Sequence, residues 1–165
     1  MRRFIFITAL LLTAAISKAQ DYAACNAYIE IGDYAKAKQC LYAYTRPADN
    51  GGLCFYKMNL AVCENNGETA KQLMKEAEAF PATDYYAVCA KAMYIAYSQS
   101  PEAARLIFDP LMKSHKGVPP SVLMETTRAF FRFKMKDLDY AMACINTLEK
   151  ELKQPNADWR SEEHT

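Results

Sequence analysis

The distribution of chain breakers constrains this sequence most. Gly32-Asp33, Pro47 to Gly52, Asn65-Asn66-Gly67, Pro81, Ser100-Pro101, Gly117 to Pro120, Lys136-Asp137 and Pro155 fall at near-regular intervals. They cut the chain into about eight pieces of roughly 11–17 residues, the usual length of a globular helix. Within each piece Ala, Leu, Met, Lys, Glu and Gln dominate and β-branched runs are missing, which favours helix over strand. Apolar residues recur there at three- and four-residue spacing, as one buried helix face requires. The fold class is therefore read as all-α.

The helix starts carry capping chemistry. Ser100 precedes Pro101, a pairing that suits the N-cap and the first helical position. Thr83 or Asp84 is expected to cap the next upstream helix, and Asp137 the last full one. Pro110 lies inside an otherwise helical stretch and is expected to kink or end it.

A repeat underlies the breakers. Ala37, Ala70, Ala104 and Ala141 are spaced by 33, 34 and 37 residues. Four residues after each alanine stand Leu41, Met74, Phe108 and Ile145, and three further on Tyr44, Ala77, Leu111 and Leu148. One apolar stripe thus recurs in four second helices. The first unit adds Cys25, Tyr28, Gly32-Asp33-Tyr34, Ala37 and Leu41 in order. Together these residues resemble the tetratricopeptide repeat family, whose unit is an antiparallel helix pair of about 34 residues. The resemblance spans residues 20–155. It departs from the family pattern in the first helices of the second and third units, where Lys57 and Lys91 stand at positions expected to be apolar. It implies an α-solenoid of about four antiparallel helix hairpins, a TPR-like superhelix whose first helices line a concave groove.

The resemblance also implies where a partner would bind. Tyr22, Asn26 and Ile29 of the first unit, Phe55 and Asn59 of the second, Tyr86 and Met93 of the third, and Phe130 and Phe133 of the fourth are expected to face the groove. The two asparagines would hydrogen-bond an extended peptide, and the aromatics would supply rigid contact area. Some members of the family clamp a C-terminal carboxylate with cations in this groove. Here Tyr22, Tyr86 and Ala90 occupy those places, so the resemblance does not extend to that ligand. The expected partner is a protein or peptide.

The chain ends carry separate signals. Arg2-Arg3, the apolar run Phe4 to Ile16 and Ser17-Lys18-Ala19 form the three-part pattern of a secretory signal peptide, with cleavage expected after Ala19. The run of 13 residues is short for a membrane span. The expected location is periplasmic or secreted. At the other end, Arg160 to Thr165 match one translation of a common sequencing adaptor. Residues 160–165 are therefore read as foreign, and 156–159, with Trp159, as the start of a truncated fifth repeat. A second reading follows: the chain is the N-terminal periplasmic sensing portion of a longer membrane-bound regulator.

Removing residues 1–19 and 160–165 takes Lys plus Arg from 20 to 16 and Asp plus Glu from 19 to 17. This near-neutral balance gives no electrostatic reason to expect nucleic acid, and no direct membrane insertion is expected of the mature fragment. The run Arg128, Arg132, Lys134 and Lys136, interleaved with Phe130, Phe131 and Phe133, is read as a solvated helix face because Asp137 and Asp139 follow. All six cysteines lie in the mature part. An oxidising compartment permits disulfides between them, but spacing does not choose the pairing. No CxxC pair, phosphate loop, nucleophile elbow or zinc-helix motif occurs, and His115 belongs to no such motif. No catalytic residue, metal or cofactor is expected.

Overall fold

The computed structural model describes residues 22–44, 50–114 and 117–152. The expected signal peptide, Trp159, the six C-terminal residues and His115 lie outside them. The described residues form eight helices and no strand: α1 Tyr22–Glu30, α2 Tyr34–Tyr42, α3 Gly52–Cys63, α4 Gly67–Glu78, α5 Tyr85–Ser98, α6 Pro101–Lys113, α7 Pro120–Arg132 and α8 Leu138–Leu152. The all-α class is as expected.

The caps follow local chemistry. Asp33, Asn66, Asp84 and Ser100 each accept a backbone N–H three residues ahead, from Lys36, Thr69, Ala87 and Ala103. Asp137 does the same for Tyr140. Each such cap stabilises its helix by about 1 kcal/mol. Helix ends are equally specific. Gly32 at the end of α1, Asn65 after α3 and Lys134 after α7 all take positive φ, at 78°, 54° and 60°. At each, the next residue's N–H returns to a carbonyl five residues back: Asp33 to Tyr28, Asn66 to Ala61 and Met135 to Phe130. This is the Schellman closure of a helix, and it favours glycine or asparagine at the left-handed position. Pro110 does not end α6, which runs on to Lys113. The carbonyl that proline leaves without an N–H partner belongs to Leu106, which is 82% exposed and open to water.

Each helix packs on the next within the pairs α1–α2, α3–α4, α5–α6 and α7–α8. The odd helices also pack on one another in chain order, α1 on α3, α3 on α5 and α5 on α7, while α2 meets α3 and α4 meets α5. The four aligned alanines are fully buried. A side chain larger than methyl would hold the neighbouring helices apart there. The helix α3 is buried along almost its whole length, so its polar residues need partners. The Lys57 ammonium lies 4.5 Å from the ring centre of Tyr42, and the Asn59 amide bonds to Asn26.

Five hydrogen bonds between successive pairs span close to one repeat length. Asp84 joins Gly51, and Asn26 joins Asn59, each at a separation of 33 residues. Tyr97 joins Asn65 and Arg105 joins Asp137 at 32, and Lys136 joins Glu102 at 34. Gly51 belongs to this set for a steric reason. A Cβ there would stand 2.7 Å from the backbone nitrogen of Ala87. A disulfide between Cys25 and Cys40 ties α1 to α2, and Cys54, Cys63, Cys89 and Cys144 are free thiols.

Candidate functional site

The odd helices were expected to present their aromatic and amide side chains to a partner. Their burial corrects this. Tyr22, Asn26, Ile29, Phe55, Asn59, Met93 and Phe130 are all less than a tenth exposed, and four of them are fully buried. Phe55 packs its edge on Tyr56 and lies against Tyr86, and Phe130 packs on Phe108 of α6. They are core residues because the odd helices are close-packed in a row, which consumes the faces a looser groove would leave open. Only Tyr86 and Phe133 keep partial exposure.

The two asparagines use their amides on each other. Asn59 Nδ2 donates to Asn26 Oδ1 at 2.9 Å, and Asn26 Nδ2 donates to Glu30 at 3.4 Å. The Asn59 carbonyl oxygen accepts from Arg132 at 3.1 Å and from the Cys63 thiol at 3.8 Å. Buried amides need partners, and these asparagines have them inside the chain. The basic run on α7 is likewise not a merely solvated face. Arg132 reaches α3, and Arg128 donates to Glu125 on its own helix and to Glu30 of α1 at 3.3 Å. Side chains of α7 therefore reach back to both α3 and α1.

Glu125 is the anomaly of this inner network. It is 5% exposed, and its Oε2 has no hydrogen-bond partner. Desolvation raises its pKa above the usual carboxylate value, and the neighbouring Arg128 offsets only part of that. The thiols are set for packing rather than reaction. Burial pushes Cys54 and Cys89 up to about 12, and raises Cys63 and Cys144 as well. A thiol so protonated is a poor nucleophile. Among the described residues no group of three or more His, Cys, Asp or Glu side chains could hold a metal ion, and no helix is long and apolar enough to cross a membrane.

Arg132 also faces outward. It forms one wall of an open cleft of about 590 Å³ between the α5–α6 turn and the α7–α8 turn. Tyr97 and Phe133 line it as an edge-to-face pair with ring centres 5.5 Å apart. Lys134 and Lys136 line it too, and neither ammonium makes a hydrogen bond or ion pair among the described residues. Glu102 is the acidic group of the lining. Its carboxylate accepts the Lys136 backbone N–H at 2.9 Å, which holds its pKa below the usual value. Of the residues expected to face a partner, only Phe133 falls in this cleft, beside Arg132, Lys134 and Lys136 of the basic run that was read as a solvated face. Tyr97 and Glu102 carried no sequence signal, because the cleft joins two turns more than thirty residues apart. Compared with known proteins, the chain matches no family model, no curated protein and no solved structure.

Proposed function

We propose that this chain is an exported, TPR-like α-solenoid of four helix hairpins that serves as a scaffold for a protein or peptide partner and has no catalytic role. The observation that carries the reading is the set of hydrogen bonds between residues 32 to 34 apart. A stack of equivalent units joins each unit to its neighbour at one repeat length, and few other helical arrangements do so repeatedly. The Cys25–Cys40 disulfide supports export, because such bonds persist in oxidising compartments. The raised thiol pKa values speak against a cysteine nucleophile.

In this reading the partner does not lie on Phe55 or Asn59. It docks where aromatic and polar groups remain accessible together, along Tyr97, Phe133 and Arg132. Selection of a random peptide library on the immobilised mature protein tests this. Enriched peptides should lose affinity on Tyr97→Ala with Phe133→Ala, while the far-ultraviolet helical signal stays unchanged. No enrichment over an uncoated surface would count against the scaffold reading.

A further inference from the structure

The partner's chemistry can be taken one step further, resting on the scaffold reading above. Three cations, Arg132, Lys134 and Lys136, border the cleft against the single carboxylate of Glu102. Arg132 spends one N–H on Asn59, while neither lysine ammonium makes a hydrogen bond or ion pair among the described residues, and the Lys136 charge acts on Glu102 only at longer range. The Tyr97–Phe133 pair gives the same cleft an apolar wall. Lys134 adds an independent observation. It occupies, at φ 60°, the helix-end position that Gly32 and Asn65 fill in two other hairpins. A lysine there is conformationally costlier than glycine, and its ammonium gains no partner among the described residues. Strain held at a charged, accessible position points to a role outside the fold.

We propose that the cleft binds an acidic segment of a partner protein, with side-chain carboxylates on Lys134 and Lys136 and an apolar side chain against Tyr97 and Phe133. A nucleic acid suits it less. Glu102 repels a phosphate backbone, three cations make a short track, and the whole chain carries a formal charge of only +1.

Fluorescence anisotropy with labelled short peptides tests the proposal. The probes are a Glu-rich peptide carrying one Phe, its Lys-for-Glu counterpart, and a single-stranded oligonucleotide of equal charge. The Glu-rich peptide should bind, more weakly as salt rises, and the Lys-rich one should not. Lys134→Glu with Lys136→Glu should weaken the Glu-rich peptide about tenfold or more. Lys134→Gly separates the roles of that residue: the thermal midpoint should rise while peptide affinity falls. A Lys134→Gly protein that binds as well as the parent would overturn the assignment, as would tighter binding of the oligonucleotide. Library-selected peptides that lack acidic residues and ignore Lys134 would also overturn it while leaving the scaffold reading intact. A library yielding no binder at all would remove both.

Discussion

Replacing Cys25 and Cys40 together with alanine should destabilise the fold by an amount that the structure sets. The bond joins α1 to α2 across 15 residues of chain, with Cα atoms 5.7 Å apart. Closing a loop of that size in the unfolded chain contributes about 3 kcal/mol at room temperature. The bond matters here because α1 and α2 have nine residues each, too short to hold a helix in water alone. An unfolding entropy of about 2 cal/mol/K per residue converts that loss to a fall of about 10 °C in the midpoint for a domain of this size. Circular dichroism melts of parent and double variant measure it directly. The other four cysteines are free thiols, so reductant should lower the parent's midpoint by a similar amount and leave the variant unmoved. Coincident melts for parent and variant would refute the loop-closure reasoning. A variant that still responds to reductant would show a second disulfide and refute the pairing.

Glu125→Gln should change the pH profile. The raised pKa of Glu125 means that the folded state is penalised as pH climbs through that pKa, whereas below the unfolded carboxyl range the penalty is absent. The stability of the variant relative to the parent should therefore improve from about pH 4 to about pH 7 in urea melts, and a relative decline would contradict the burial argument. Iodoacetamide should leave Cys54, Cys89 and Cys144 unmodified in the native protein, with the half-buried Cys63 the first to react, as read by peptide mass spectrometry. Rapid native labelling of Cys89 would be inconsistent with its complete burial. Ala37→Leu and Ala141→Leu should each overpack a helix contact and cost roughly 1–3 kcal/mol in thermal melts. Unchanged midpoints for both would break the repeat alignment built on those alanines.

Much of the fold was legible because its signals are local. Turn residues, N-caps and a four-residue apolar period all act within a few residues, so Ser100 and Asp137 could be recognised as caps from their neighbours alone, while the choice between Thr83 and Asp84 needed the structure. The recurring alanines were legible because a repeat writes the same close contact several times. The site was far less so. Asn26 and Asn59 look like ligand-binding amides in sequence, yet each satisfies the other across one repeat. Arg128 and Arg132 look solvated, yet they reach partners 98 and 73 residues away. Lys57 looks misplaced until the Tyr42 ring beneath it is known. Those partnerships depend on how the helices pack on one another, which no single segment displays. The same holds for the cleft, whose walls belong to two turns.

The central proposal is that this all-helical chain binds a partner at its α5–α6 and α7–α8 turns and not on the buried faces of its odd helices. Amide chemical shifts of the isotope-labelled mature protein, followed during titration with a library-selected peptide, test that most directly. The account predicts saturable shifts at Tyr97, Glu102, Phe133, Lys134 and Lys136, with Asn26, Phe55 and Asn59 quiet. Shifts concentrated on Asn26, Phe55 and Asn59, with the turn residues unmoved, would contradict it.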